Sequence, residues 1–264
     1  MKIFISADIE GVTGITHGDE TEKTKPDYSE FQKQMTAEVA AACKGALKAG
    51  AKEIYVKDAH DTGRNIIASE LPQEAKLIRA WSGHPFSMVQ ELDDSFDAAL
   101  MIGYHSRAGS NANPLAHTLT GSYSSIELNG EYLSEFTIHS YAAALVDVPV
   151  AFLTGDEGLI LDAQKLLPAI AGLSVSKGIG ASTISIHPKL AIKLIEEGVE
   201  SALRKDLSAC KLKLPRKFEV KVRFKDQKRA YKASYYPGAV LLEPHLIGFE
   251  SGDYMDILRS LMFI

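Results

Sequence analysis

Hydrophobic and polar residues follow two different periods along the first part of the chain. Short apolar runs typical of buried strands cover residues 2–6, 53–60 and 96–105. A helix is predicted between the first two runs, and a shorter one around residues 87–92. The first helix ends near Gly50, and its apolar positions are Tyr28, Phe31, Met35, Val39, Ala42 and Ala46. This alternation of strands and helices predicts a parallel sheet.

The second half of the chain continues with both kinds of period. Asn129 and Gly130 suit the turn of a tight hairpin, and a helix is predicted to begin at Glu135. Further strands are predicted at residues 148–157 and 217–224, and further helices at residues 157–167 and 187–205. The fold class is therefore expected to be a three-layer α/β/α domain with a largely parallel sheet in residues 1–160, followed by a smaller α+β region in residues 161–264. The boundary between the two is soft and falls within residues 156–172.

Composition limits the choice of partner. The chain has 264 residues, a net charge of -5 and 45% hydrophobic residues, so a core of ordinary size is expected, and neither nucleic acid nor an anionic membrane is a favoured partner. Lys and Arg are in excess within residues 204–232, which indicates a solvated face or an oligomer contact. Cys43 and Cys210 lie far apart, and the sequence predicts neither a signal peptide nor a membrane span, so we expect a cytoplasmic location.

Polar residues with metal-binding side chains stand where the predicted strands end. Asp8 and Glu10 are two residues apart, so both carboxylates point the same way as the first strand ends, and two like charges held together need a cation. His60 and His105 end the next two strands, and Glu135 starts a helix. Ligands of open parallel sheets bind beyond the carboxyl ends of the strands. Zinc takes carboxylate and imidazole ligands, although each residue taken singly could be a cap or a structural histidine.

Three further residues are open to more than one interpretation. His117 lies in a loop rich in Gly, Ser, Asn and Pro, and is either a catalytic group or an ordinary polar loop residue. Asp58 precedes His60 by two residues and could orient it from behind. His139 follows Glu135 by four residues and shares its helix face, so the two could chelate one metal. The remaining histidines are interpreted as structural or surface residues; they are His17, His84, His187 and His245.

Together these motifs resemble the D-aminopeptidase family of zinc metallopeptidases. The resemblance rests on SADIEG near the N-terminus, KDAH and GYHSRAG at two strand ends, the histidine in the glycine-rich loop, and NGEYLSEF. It implies two zinc ions per subunit with Asp8 as the bridge, His117 as the catalytic histidine, and no ligand at His139. It also implies a decamer of two stacked pentameric rings and small peptide substrates. The implied zinc ligands are Asp8, Glu10, His60, His105 and Glu135.

The function that this resemblance implies is hydrolysis of short peptides, with a D-amino acid at the N-terminus, by water activated between two metals. A dinuclear phosphoesterase would use the same ligand types and would also need groups that bind phosphate. Arg107 is the obvious candidate for that role, and KGIGAS at residues 177–182 lacks the P-loop pattern. The alternative without catalysis is a metal-binding assembly protein, whose metal site would be closed.

Overall fold

A computed structural model, which describes residues 1–264, contains a sheet of seven strands and a sheet of five strands. The large sheet has the order β3-β2-β1-β4-β7-β8-β9, and all of its neighbours are parallel except the last pair. Its strands are β1 (Lys2–Ala7), β2 (Glu53–Asp58), β3 (Ala75–Ile78), β4 (Ala98–Tyr104), β7 (Val150–Asp156), β8 (Ala171–Ile179) and β9 (Ser182–Ser185). The prediction of a largely parallel sheet is confirmed.

Helices cover both faces of the large sheet, as the three-layer prediction requires. The helices are α1 (Tyr28–Lys48), α2 (Glu135–Leu145), α3 (Glu157–Leu166), α4 (Pro188–Leu203), α5 (Gln227–Ala233) and α6 (Tyr254–Phe263). α1 and α4 pack together over one face around an apolar cluster that includes Met35 and Val199. α2 and α3 lie on the other face, over a cluster that includes Phe4 and Phe136. None of the six helices combines the length and apolar character that a bilayer crossing requires.

The small sheet is antiparallel and has the order β11-β12-β10-β5-β6. Its strands are β5 (Tyr123–Leu128), β6 (Glu131–Tyr132), β10 (Phe218–Phe224), β11 (Val240–Glu243) and β12 (Leu246–Ser251). α6 packs on β10 and β12 and also contacts α2, so it joins the small sheet to the rest of the molecule. Both sheets take strands from either side of residue 160, and the division into residues 1–160 and 161–264 stays a prediction.

Most predicted elements are present, and one is wrong. The hairpin turn is confirmed, because Asn129 and Gly130 both adopt the positive φ that a type I′ turn needs. The helix predicted around residues 87–92 is wrong, since only a single 3-10 turn forms there, at Ser87–Val89. Ser87 and Glu91 have φ values of 45° and 71°, which a helix cannot contain. The edge strand β3 was missed because four residues are too few to show a period.

Candidate metal centre and its cavity

The topology of the large sheet places the candidate residues at one rim. β1 lies between β2 and β4. The chain first adds β2 and β3 on one side of β1 and then adds β4 on the other side, so the strand order reverses at β1 and a crevice forms at its carboxyl end. The backbone N–H of Asp8 donates to the carbonyl oxygen of Ile102 in β4, at 2.9 Å. Gly11 lies so close to β4 that an added Cβ atom would meet the carbonyl oxygen of Tyr104 at 1.7 Å. The residues after β1 are therefore held tightly against β4.

Five of the predicted residues form two groups that share one carboxylate. The first group is Asp8, Glu10 and His60, and the second is Asp8, His105 and Glu135; a third cluster of possible ligands joins Glu10, His105 and His117. His60 Nδ1 lies 3.3 Å from Asp8 Oδ1 and 3.1 Å from Glu10 Oε2. His105 Nε2 lies 3.6 Å from Asp8 Oδ2 and 3.4 Å from Glu135 Oε2. All five are buried, and the two oxygens of Asp8 face different imidazoles. This is the arrangement expected of a carboxylate that bridges two ions.

Backbone carbonyl groups fix which nitrogen each imidazole presents to the carboxylates. His60 Nε2 lies 3.0 Å from the carbonyl oxygen of Thr21, and His105 Nδ1 lies 2.9 Å from that of Ser106. A carbonyl oxygen only accepts, so these two nitrogens carry protons, and in the neutral rings that bind a metal the opposite nitrogens present lone pairs. His105 Nε2 and Glu10 Oε2 are buried without a hydrogen-bond partner. Buried atoms that hold a lone pair and lack a hydrogen-bond partner are suited to bind a metal. The other nitrogen of each ring is held by a backbone carbonyl group, as is usual for histidines that bind metals.

The electrostatics of the cluster also favour cations. Burial raises the pKa of Asp8, and the charge of Glu10 adds to this effect. Burial alone would lower the pKa of both imidazoles, but the neighbouring carboxylates reverse it: the pKa of His60 is raised well above its usual value and that of His105 to about 10, chiefly by Glu10 and Glu135 respectively. Without metal, the histidines therefore take up the positive charge that the carboxylates demand. Metal ions in place of those protons would supply the same positive charge.

His117 lies beside this cluster and is its most accessible member. Its ring stacks on that of His105 with 4.4 Å between the ring centroids, and its side chain is 27% exposed. Nδ1 lies 2.9 Å from the carbonyl oxygen of Leu115 and so carries a proton, and Nε2 lies 3.7 Å from Glu135 Oε1. The same carboxylate oxygen accepts the N–H of Leu119 at 2.6 Å. Leu119 has a φ of 61°, a strained conformation for this side chain.

A buried carboxylate that sequence reasoning missed holds the loop of His117. Asp156, at the end of β7, accepts hydrogen bonds from the N–H and hydroxyl of Ser106 and from the amide of Asn113. Asn113 also donates to the carbonyl oxygen of Glu10, at 3.2 Å. The signal was available, because Asp156 also ends a strand. The loop is thus tied both to β7 and to the residues that follow β1.

Asp58 supports His60 indirectly. Its carboxylate accepts from the N–H groups of Asn65 and Ile66 and from the side-chain amide of Asn65, so it does not contact the imidazole of His60. Asn65 in turn donates to the carbonyl oxygen of His60, at 2.7 Å. The expectation that Asp58 orients His60 from behind therefore holds for the backbone of the loop and not for the ring.

The other histidines lie outside the ligand groups. His139 is fully buried, and its Nδ1 donates to the carbonyl oxygen of Glu135 at 2.7 Å, so it belongs to neither group. His17 and His187 accept N–H groups at the starts of helical turns. His245 lies 3.3 Å from the carbonyl oxygen of Phe224. His84 is the exception among the presumed surface residues, because it lines the cavity described next.

A cavity of about 600 Å³ opens over the cluster. Its walls include apolar side chains from α2 and α6, and a loop that carries Trp81. Four carboxylic acid residues line it, and no Lys or Arg does; the four are Asp8, Glu10, Asp61 and Glu135. Arg107 lies elsewhere, since it donates to the carbonyl oxygen of Ala108 and its guanidinium group sits 4.2 Å from the ring centroid of Tyr132. No Lys or Arg side chain is therefore available in the lining to bind an anion.

Comparison with known proteins places the chain in one family. A sequence model described as D-aminopeptidase matches residues 1–263. A curated D-aminopeptidase of Bacillus subtilis (strain 168) is 28% identical over 264 residues, which cover 99% of this chain and 96% of that protein. The fold is similar to the solved structure of the Zn-dependent D-aminopeptidase DppA from Bacillus subtilis, described as a self-compartmentalizing protease. The TM-score is 0.93 and the sequence identity is 26%, and the match covers 99% of this chain and 96% of that one. The chain belongs to the D-aminopeptidase family.

Proposed function

We propose that this protein is a zinc-dependent aminopeptidase that hydrolyses short peptides with a D-amino acid at the N-terminus. One observation carries the proposal: a cavity of about 600 Å³ opens over a buried cluster of carboxylates and imidazoles that can hold two metal ions. Asp61, the acidic residue of the lining that belongs to no ligand group, suits the cationic amino terminus of a peptide. Family membership and the Zn-dependent relative support the same activity. The preference for a D-residue rests on the family alone.

Five residues would hold two zinc ions, in the two groups that share Asp8; they are Asp8, Glu10, His60, His105 and Glu135. Zinc bound there would polarise a carbonyl oxygen of the substrate and would lower the pKa of bound water from about 15.7 to about 7. Behind the ligands, the Thr21 and Ser106 carbonyl groups keep the imidazoles in the tautomers that coordination needs.

His117 is proposed as the catalytic residue. Its Nε2 carries the lone pair and faces the cluster, while its Nδ1–H is held by the carbonyl oxygen of Leu115. In this state Nε2 can take a proton from water and later return it to the leaving amine. In its protonated state the same atom can donate to the oxyanion of the tetrahedral intermediate, an effect worth about a hundredfold or more in rate.

The two alternatives have less support. A phosphoesterase needs groups that bind the phosphate, and the one candidate, Arg107, is engaged with Ala108 and Tyr132 away from the cavity. A metal-binding assembly protein needs a closed site, and here a cavity of about 600 Å³ reaches the cluster. Hydrolysis of p-nitrophenyl phosphate by the zinc-loaded protein, without peptide hydrolysis, would favour the phosphoesterase.

We also propose that the protein forms a homo-oligomer, specifically a decamer, in the cytoplasm. The relative described as a self-compartmentalizing protease supports assembly. Large apolar side chains exposed on the C-terminal region, such as Tyr235 at 72% and Phe263 at 69%, are available for contacts between subunits. The cysteines, Cys43 and Cys210, are both unpaired, which suits a reducing compartment. Sedimentation should give about ten times the 28.7 kDa mass of one chain.

The test of the activity compares D-Ala-D-Ala with L-Ala-L-Ala as substrates of the zinc-loaded protein. Chelator-treated protein and a His117→Ala variant are the controls. We expect release of D-alanine that depends on zinc and falls at least a hundredfold in the variant, whose zinc content stays at that of the wild type. Absence of cleavage of either peptide by a protein that holds two zinc ions would contradict the proposal.

A further inference from the structure

One buried polar atom of the cavity is left unexplained by the metal centre. His139 lies on α2 one turn after Glu135, and its exposed fraction is 0%. Its Nδ1 lies 2.7 Å from the carbonyl oxygen of Glu135, so Nδ1 carries the proton and Nε2 presents a lone pair. That Nε2 has no hydrogen-bond partner in the protein. Buried acceptors are normally satisfied, so this nitrogen is available to a donor that enters the cavity.

The position of His139 points to a ligand of the cavity and away from the metal ions. His139 lines the same cavity as Glu10 and Glu135, next to Ile138. None of the three clusters of possible metal ligands includes a nitrogen of His139. The ring of His139 therefore lines the cavity outside these clusters, and its Nε2 is an acceptor for a molecule bound there.

The chemistry of the cavity identifies the donor. A carboxylate or phosphate brings no N–H group to donate to this nitrogen, and Asp61, the acidic residue of the lining that belongs to no ligand group, disfavours an anion. The amino group of a peptide brings several N–H bonds and the favourable charge. Apolar residues in the lining, among them Met88, Leu258 and Leu261, can pack against the side chain that this amino group accompanies.

We propose that Nε2 of His139 accepts a hydrogen bond from the amino group of the substrate, so that His139 selects peptides with a free amino terminus. The proposal rests on the function proposed above and adds the residue that recognises the amino end. It gives His139 a specificity role, separate from the proposed roles of the five metal ligands and of His117.

The test compares two ligands that differ only in the amino group: D-Ala-D-Ala, and propionyl-D-Ala, which has hydrogen in place of that group. Binding to the zinc-loaded protein is measured by titration calorimetry in a His117→Ala background, which suppresses hydrolysis. His139→Phe keeps a ring and removes the acceptor, and His139→Gln restores an oxygen near the position of Nε2. Zinc content and the thermal midpoint are recorded for every variant.

We expect His139→Phe to bind D-Ala-D-Ala about tenfold to a hundredfold more weakly and propionyl-D-Ala within twofold of the parent. His139→Gln should recover most of the lost preference, which a purely structural role would not predict. Equal weakening of both ligands, or an unchanged preference in His139→Phe, would overturn the proposal. Failure of the proposed activity is seen separately, as absence of zinc-dependent hydrolysis by the protein with His117 intact.

Discussion

Replacement of Asp8 by Asn tests whether one carboxylate serves two metal ions. Asp8 is the residue common to both ligand groups, and its two oxygens lie 3.3 Å and 3.6 Å from His60 Nδ1 and His105 Nε2. Asn keeps the shape of the side chain and removes its charge. Burial raises the pKa of Asp8, so its charge is unfavourable in the metal-free protein. We therefore expect the variant to be at least as stable as the wild type in the presence of a chelator.

The rise in the thermal midpoint caused by zinc should distinguish the wild type from Asp8→Asn. Free zinc at a hundred times the dissociation constant stabilises the folded state by about 2.7 kcal/mol per ion, or about 5 kcal/mol for two ions. For a chain of this size, that corresponds to a rise of roughly 10–20 °C in the thermal midpoint. A hundredfold loss of affinity at both sites in Asp8→Asn reduces the gain to about 0.4 kcal/mol per ion, or a few degrees in total.

The assay is thermal unfolding in chelator and at one fixed concentration of free zinc, with zinc content measured in parallel. Asp61→Asn is the matched control, because Asp61 lines the same cavity but belongs to no ligand group, and its φ of 43° suits Asn. The control should keep the full zinc-dependent rise. A full rise in Asp8→Asn, or a lost rise in Asp61→Asn, would refute the assignment of Asp8 as the shared ligand.

Three further predictions concern protons and packing. Zinc binding at pH 7 should release more than one proton per chain, because the neighbouring carboxylates raise the pKa of His60 well above its usual value and that of His105 to about 10. Calorimetry in buffers of different ionisation enthalpy measures the number of protons released. A value near zero would contradict the prediction. Gly11→Ala should cost more than about 4 kcal/mol in urea unfolding, since its Cβ would lie 1.7 Å from a carbonyl oxygen of β4, whereas Gly18→Ala, with no atom within 4 Å, should change little. Burial lowers the pKa of His139 to about 4, so between about pH 6.5 and 4 the unfolded chain binds more protons than the folded one. The free energy of unfolding should therefore fall by about 3 kcal/mol as the pH drops through that window. His139→Phe should flatten this slope, and an unchanged slope would exclude His139 as its source.

The gathering of the candidate ligands at one rim could be anticipated from sequence because its signals are local. Asp8, Glu10, His60 and His105 all follow apolar runs, and the crossover rule for parallel sheets then brings strand ends together without any knowledge of tertiary contacts. The position of Glu135 is harder to predict from local sequence, because its place beside the cluster depends on the hairpin before it. The same strand-end signal marks Asp156, which instead anchors Ser106 and Asn113, and the residue type alone does not separate the two roles.

The parts that could not be predicted depend on contacts between distant residues. β5 pairs with β10 through partners such as Ile126 and Val222, and alternation within each strand says nothing about which partner it takes. The backbone around Ser87 and Glu91 was misassigned because tertiary packing imposes positive φ on residues with ordinary helix propensity. The unpaired nitrogen of His139 is likewise visible only once the neighbours of its ring are known.

The pairing of β5 with β10 has a consequence for biosynthesis. Glu135 comes directly after the β5–β6 hairpin, whose long neighbour Phe218–Phe224 is translated much later. A chain still emerging from the ribosome therefore exposes Asp8, His60 and His105 before the sheet next to Glu135 can close. Pairing of such distant segments is slow compared with local folding. We expect the candidate zinc ligands to come together only when translation is nearly complete, so the site stays incomplete until the chain has folded.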